Sequence, residues 1–257
     1  MKQLLIVLSN PRGGRDDEFN EWYSYVHLWD VLRGSPGAIA AQRFALAPGQ
    51  LPGAAPLEHR YLAVYEADEH QGFTDGHAEV FTPAMPISDA FSFEDFREAY
   101  YEPFAARKRA AGPKVYGDVI IERIAASAGA EDFANWYADH RLPQITRLPG
   151  FESGRISRAA AHQMLPPNPD SHYIALYRVS DHNAALAALA ALNQQAPPPW
   201  PASAAITACY TPLIPRLTAY AALHPSPELA ARAAKARAAL GSRVYTGFPS
   251  LPGLPPA

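Results

Sequence analysis

The chain has 257 residues, of which 48% are hydrophobic and 18% are charged. This composition is typical of a globular protein and excludes a disordered one. The net charge of -3 provides no basic surface for a nucleic acid, and the single cysteine, Cys209, excludes an intrachain disulfide.

The apolar run at residues 4 to 8 is too short for a secretory signal, and no small-residue cleavage site follows it. No window of the sequence approaches the roughly 20 apolar residues that a membrane-spanning helix needs. We therefore expect a cytoplasmic protein that has neither a nucleic acid nor a membrane as its partner.

Residues 1 to 113 predict the element order β-α-β-β-α-β. Branched apolar residues indicate a buried strand at 3 to 10, and apolar side chains at helical spacing indicate a helix from about 16 to 33. The remaining elements are strands at 38 to 46 and 59 to 66, a mostly helical segment at 70 to 98, and a short edge strand at 99 to 104.

Residues 114 to 218 predict the same order of elements a second time. Its strands are expected at 115 to 124, 152 to 159, 171 to 178 and 208 to 213, and its helices at 131 to 141 and 181 to 194. The rest of the chain, 219 to 257, holds one helix at 227 to 240 and a tail rich in Pro and Gly.

A sequence motif occurs once in each half: Phe-x-x-Trp-Tyr, then a His, then Pro-Gly. The first copy consists of Phe19, Trp22, Tyr23, His27, Leu28 and Pro36-Gly37, and the second of Phe133, Trp136, Tyr137, His140 and Pro149-Gly150. Two further blocks, Tyr-aliphatic-Ala-aliphatic-Tyr and Tyr-x-Pro, recur in the same order. The aromatic segment with its His, the Pro-Gly pair and these two blocks make four blocks in one order, which indicates an internal repeat.

The order β-α-β-β-α-β is that of a ferredoxin-like unit, whose sheet carries helices on one face and leaves the other face bare. Two such units in one chain can cover each other, sheet against sheet. The sequence therefore predicts an α+β fold of two fused ferredoxin-like βαββαβ repeats.

With this motif the sequence resembles the dimeric α+β barrel superfamily, and within it the EthD-like proteins, over about residues 1 to 218. The resemblance implies that the two repeats close, within one chain, the barrel that the superfamily usually builds from two chains. The sequence does not decide whether the chain also forms a homo-oligomer.

His27 is the first candidate for catalysis, because it falls near the apolar face of its helix and Asp30 follows one turn later to orient it. The resemblance implies that such a histidine lines a pocket between helix and sheet, where it can act as a general acid or base. The alternative is a partly buried histidine with a structural hydrogen bond. We expect His27 to be partly exposed, so that His27→Ala leaves folding intact.

His140 is the second candidate, and its alignment is ambiguous. Counted from Pro-Gly it is equivalent to His27, whereas counted from the tryptophan Arg141 is equivalent. The phenol of Tyr23 is a third candidate, since it can polarise a carbonyl group.

Aromatic side chains are expected where the helices meet the sheet. Most such side chains are plain core, but a pocket for an aromatic ligand needs the same residues. The candidates for substrate binding are Trp22, Trp29, Tyr65, Trp136, Tyr137 and Tyr177.

The sequence contains no paired histidines at zinc-ligand spacing, no phosphate-binding loop and no G-x-G-x-x-G motif. We therefore expect neither a metal nor another cofactor. Some members of the superfamily bind haem, but no axial histidine can be identified here.

Two classes of function follow from the resemblance. The first is a cofactor-independent enzyme of the lyase, isomerase or cyclase type that transfers protons on a small hydrophobic, aromatic or polyketide-like compound; a cofactorless monooxygenase is a variant of it. The second is a non-catalytic small-molecule-binding or accessory protein of the EthD-like kind. The fold alone does not choose between them.

Overall fold

A computed structural model describes residues 3–52, 57–68, 73, 75, 84–108, 117–125, 130–165, 171–196 and 205–245. The strands of the first half are β1 (Gln3–Pro11), β2 (Ala38–Leu46), β3 (Tyr61–Ala67) and β4 (Phe91–Lys108). The first long helix has three parts, namely α1 (Asp16–Trp22), a π-helical turn (Tyr23–His27) and α2 (Leu28–Gly34). The second predicted helix of this half lies mostly outside the described residues.

The second half repeats this order. Its strands are β5 (Val119–Ile124), β6 (Phe151–Ala159), β7 (Tyr173–Val179) and β8 (Ala205–Pro212). Its helices are α3 (Ala130–Trp136), a π-helical turn (Tyr137–Arg141), α4 (Leu142–Thr146) and α5 (His182–Gln195).

The eight strands form one closed antiparallel barrel. Each half contributes four neighbouring strands, in the order β4-β1-β3-β2 and β8-β5-β7-β6. The halves are joined at two seams, where β4 pairs with β6 and β2 pairs with β8. The predicted fold class is therefore confirmed: the strands of two ferredoxin-like halves build an α+β barrel within a single chain.

Strand residues alternate between the barrel interior and the helices, and this separates three apolar cores. On β1, Leu4 and Ile6 point into the barrel, whereas Leu5 and Val7 point toward the helices of the first half. A second layer between helices and sheet holds Ile120, Tyr137 and the rest of the second half's core. Each half thus has its own helix–sheet layer, separated from the other by the barrel.

The Pro-Gly pair of each repeat makes the turn from helix to strand. Gly37 and Gly150 have φ angles of 78° and 80°, a left-handed conformation that glycine adopts without steric cost. A Cβ atom on Gly150 would lie 2.5 Å from the Asp181 carbonyl oxygen. Pro-Gly therefore recurs in both halves at a turn that requires glycine.

The helix predicted at residues 70 to 98 is wrong over its C-terminal part. Residues 84–90 form turns and a bridge, and the 18-residue strand β4 begins at Phe91. Pairing with β1 from Phe91 to Tyr101 supplies backbone hydrogen bonds that override the weak helical pattern. Beyond Tyr101 the strand pairs with β6, and Pro103 lies next to an irregularity in that pairing, where a missing N–H is tolerated.

The C-terminal segment forms β9 (Leu217–Thr218), α6 (Ala219–Leu223) and α7 (Pro227–Leu240). The helix predicted at 227 to 240 is therefore confirmed, and its first turn is capped by Ser226. α7 packs on α1, where Arg232 pairs with Glu21 at 2.6 Å. Among the described helices none has the length and apolar character needed to cross a membrane.

Candidate functional site

A pair of buried tyrosines lies at the centre of the first helix–sheet layer. Tyr23 begins the π-helical turn, Tyr65 projects from β3, and their hydroxyl oxygens are 3.4 Å apart. Burial raises the pKa of Tyr23 to about 12 and that of Tyr65 well above its ordinary value. Both phenols therefore stay protonated near neutral pH and can donate hydrogen bonds.

The Arg43 guanidinium lies against this pair and donates hydrogen bonds from both of its terminal nitrogens. It is 4.4 Å from the centre of the Tyr23 ring and donates to Ser24 Oγ at 2.9 Å and Asn20 Oδ1 at 2.9 Å. Burial lowers its pKa to about 10. Arg43 thus remains a cation at neutral pH, held between helix and sheet.

Glu98 is the carboxylate of this layer. It lies opposite Val7 on β4, so its side chain points toward the helices. The residue is half-buried, but its Oε1 is shielded from solvent and has no hydrogen-bond partner in the part of the chain that the structure describes. Burial raises the pKa of Glu98 to about 7. The Glu98 charge also acts on Tyr23 and Tyr65, which places the three groups close together.

His27 ends the π-helical turn and is buried, with 6% of its surface exposed. Its ring centroid is 4.9 Å from that of Trp22 and 4.8 Å from that of Tyr23, edge-on to the phenol. The predicted partial exposure of His27 is therefore wrong, because α7 packs over this turn. The buried His27 ring instead packs against the rings of Trp22 and Tyr23.

Asp30 lies on α2, one turn after His27. Its carboxylate pairs with Arg237 of α7. Burial raises the pKa of Asp30, and the Arg237 charge opposes this effect. Asp30 thus connects the first layer to the C-terminal helix.

The tryptophans predicted to bind substrate are buried in the first core. Trp22 donates its indole N–H to the carbonyl oxygen of Pro86 at 3.0 Å. Trp29 is buried in the same core. The Trp22 and Tyr23 ring centroids are 5.3 Å apart, so Trp22 packs against the tyrosine pair.

The second layer contains an equivalent tyrosine pair with a different carboxylate. Tyr137 and Tyr177 occupy the positions of Tyr23 and Tyr65, and their hydroxyl groups are hydrogen-bonded. Tyr137 also donates to Glu122 on β5. Burial raises the pKa of both tyrosines well above its ordinary value. The carboxylate of this layer is therefore held by a phenol.

The two π-helical turns settle which residue matches His27. Each turn begins at the tyrosine of the motif, and they end at His27 and Arg141. Arg141 is buried, whereas His140 is exposed and lies 6.2 Å from the half-buried Trp136 ring. The structural equivalent of His27 is therefore Arg141.

Sequence reasoning missed the four charged residues of these layers: Arg43, Glu98, Glu122 and Arg141. Arg43 and Glu122 interrupt strands that are otherwise apolar on the same face, and this signal was available. Glu98 lies in a segment that the sequence predicts to be helical, so the sequence does not indicate which face of a strand its side chain occupies. For Arg141 the sequence offers only its alignment with His27 when residues are counted from the tryptophan.

No cluster of three or more His, Cys, Asp or Glu side chains with the arrangement of a metal site occurs among the described residues. The two layers therefore provide phenols, guanidinium groups and single carboxylates. These groups suit proton transfer and the binding of oxyanions.

No known protein-family profile and no curated protein sequence matches the chain. Among solved structures, an anthrone oxidase-like protein matches with a TM-score of 0.57 and 10% identity, covering 84% of this chain and 92% of that one. A proposed monooxygenase from Lactobacillus acidophilus NCFM matches with a TM-score of 0.53 and 11% identity, covering 85% and 97%. At these identities the likeness shows the fold alone, the ferredoxin-like α+β barrel.

Proposed function

We propose that the first helix–sheet layer is the active site of a cofactor-independent enzyme that transfers protons on a small hydrophobic aromatic compound. The observation that carries this proposal is the Glu98 carboxyl group, which is desolvated, lacks a hydrogen bond at Oε1 among the described residues and has a pKa raised to about 7. A general base is most effective when its pKa is near the working pH.

The proton acceptor in this proposal is Glu98. It removes a proton from a carbon next to a carbonyl group, and the electron pair of the C–H bond moves onto the carbonyl oxygen. The Tyr23 hydroxyl accepts the hydrogen bond of Tyr65 at 3.4 Å and donates its own proton to this oxyanion, and the Arg43 charge stabilises it. Return of the proton to a different atom completes an isomerisation; attack of the enolate carbon on a second carbonyl carbon of the same substrate, whose oxygen then takes up the proton, would complete a cyclisation.

His27 acts in this proposal as a positioning residue for Tyr23, which its ring contacts edge-on. The hypothesis that His27 itself transfers the proton, with Asp30 as its partner, remains a prediction that variants can separate from the role of Glu98. His140 is exposed and has no role in the proposed site.

A second candidate reaction is oxidation by dioxygen without a cofactor, and it is favoured by the name of the anthrone oxidase-like structural neighbour. The same deprotonation begins it. Anthrone and one O2 would then give anthraquinone and one water, with the methylene carbon oxidised and O2 reduced. The relationship to EthD-like proteins, an origin by fusion of two copies, and the cytoplasmic location stay predictions.

The experiment that tests the proposal uses anthrone as an aromatic compound with an acidic methylene group. Under nitrogen in D2O, NMR should show that the protein accelerates exchange of the methylene hydrogens over buffer alone. Oxygen uptake in air then distinguishes oxidation from proton transfer only. Saturable anthrone binding without accelerated exchange would indicate the alternative, a non-catalytic binding protein.

A further inference from the structure

The second helix–sheet layer contains a buried cation whose donors are not satisfied. Arg141 is 1% exposed, yet its Nε and Nη1 atoms have no hydrogen-bond partner in the described part of the chain. Its Nη2 donates to the side-chain oxygen of Asn193, a neutral acceptor on α5. A buried charge without an ionic partner is costly, so this arrangement fits a site that an anion completes.

The nearby carboxylate does not fill this role. Glu122 accepts the hydrogen bond of Tyr137, and no ion pair links it to Arg141 in the described residues. The Tyr177 phenol lies within the electrostatic influence of both charges. The layer thus separates a satisfied carboxylate from an unsatisfied guanidinium.

We propose that the second helix–sheet layer binds an aromatic monocarboxylate, whose carboxylate group pairs with Arg141. A single guanidinium matches a single negative charge, and the neighbouring Glu122 disfavours a dianion such as phosphate. The half-buried apolar side chains of this layer, which include Phe133, Trp136 and Leu192, match a ligand with an aromatic ring.

Asn193, which accepts the hydrogen bond of the Arg141 side chain, is half-buried on α5, so displacement of its amide would bring a ligand to the guanidinium. A carboxylate that replaces this amide oxygen would exchange a neutral acceptor for a charged one, which makes a stronger hydrogen bond. The inference is independent of the proposed enzyme activity, because it concerns the other half of the chain.

Benzoate is the probe for this site, and benzamide is its neutral counterpart. Calorimetric titration should show saturable binding of benzoate, and benzoate should raise the melting temperature of the protein. Benzamide should do neither. Absence of benzoate binding, equal binding of benzamide, or displacement of benzoate by chloride or phosphate at the same concentration would overturn the proposal.

Arg141→Met is the decisive variant, and Arg147→Met is its control, at the exposed residue that directly follows α4. Benzoate affinity should fall at least tenfold in Arg141→Met and stay unchanged in Arg147→Met. Without ligand, Arg141→Met should melt at or above the temperature of the wild type, because it removes an unpaired buried charge. A lower melting temperature would show that the protein itself satisfies the guanidinium and would contradict the proposal.

Arg141→Lys provides a second test. It keeps the positive charge but loses the planar donor geometry of arginine. Weaker, still saturable benzoate binding is expected from this variant. Binding as tight as in the wild type would contradict a specific role for the guanidinium group.

Discussion

The two helix–sheet layers share their phenols but differ in which charge is left unpaired. In the first layer Arg43 is held by Ser24 and Asn20, whereas Glu98 Oε1 has no partner among the described residues. In the second layer this is reversed: a phenol holds the carboxylate, and the guanidinium keeps two unsatisfied nitrogens. The two halves therefore share an aromatic framework and differ in where their charged side chains lie.

The charges also come from different elements of each half. The first layer takes its cation from β2 and its carboxylate from β4. The second takes its carboxylate from β5 and its cation from the π-helical turn. The charged residues of the two layers thus come from four different elements of the fold. We therefore propose general-base chemistry in the first half and anion binding in the second.

The largest expected effect separates the two carboxylates by activity. Glu98→Gln should lower the rate of methylene exchange in anthrone by about 100- to 10,000-fold, the usual cost of losing a general base. Glu122→Gln is the matched control and should change the rate by less than tenfold. The rates are measured by NMR at pH 8. Equal losses in both variants would remove the distinction between the layers.

The next effect separates the two guanidinium groups by stability. Arg43→Met leaves Ser24 and Asn20 without their charged donor and should lower the unfolding free energy by roughly 1.5 to 3 kcal/mol. Arg141→Met should be neutral or stabilising when no ligand is bound. Urea unfolding of both variants gives the comparison. Similar destabilisation by the two changes would show that both cations are equally satisfied.

A pH-dependent effect should follow from Glu98. Its pKa is raised from 4.5 to about 7, so between these pH values the folded state holds a proton that the unfolded chain has released. The unfolding free energy contributed by this group therefore falls as pH rises through that window. At pH 8 the unfolding free energy of Glu98→Gln should be higher than that of the wild type by roughly 1 to 2 kcal/mol, after allowance for the partial exposure of Glu98. At pH 4 the two unfolding free energies should be equal. If Glu98→Gln were more stable than the wild type by the same amount at both pH values, burial would not be what raises the pKa of Glu98.

The smallest effect concerns the histidines. His27→Ala removes a buried ring that packs on Trp22 and Tyr23, and we expect a loss of about 1 kcal/mol. His140 is exposed, so His140→Ala should stay within about 0.5 kcal/mol of the wild type. Thermal unfolding measures both. If His27→Ala keeps the wild-type shape of the pH–rate profile, His27 is a positioning residue; loss of the limb near neutral pH would assign the proton transfer to it.

Much of the fold was predictable because the repeated motif constrains it. Apolar patterning located most of the strands, and the repeated motif located the first helix of each half. The start of β4 was not predictable, because its pattern around Phe91 is decided by pairing with β1 rather than by local preference. The aromatic residues of both layers were found from the repeat alone.

Most of the charged residues of the candidate site could not be identified from the sequence. Glu98 gains its role from the register of β4, and a register depends on tertiary pairing. The exposure of His140 and the burial of Arg141 depend on a π-helical turn, which inserts an extra residue without a sequence signature. Counting from the tryptophan aligned the two turns correctly, while counting from Pro-Gly did not.

The most direct test of the central claim is an NMR titration of protein carrying 13C-labelled glutamate carboxyl groups. One glutamate should titrate near pH 7, and this signal should be absent from Glu98→Gln but present in Glu122→Gln. If every glutamate in the wild type has finished titrating below about pH 5.5, the Glu98 carboxylate is not the desolvated, unpaired group on which the contrast between the two layers depends.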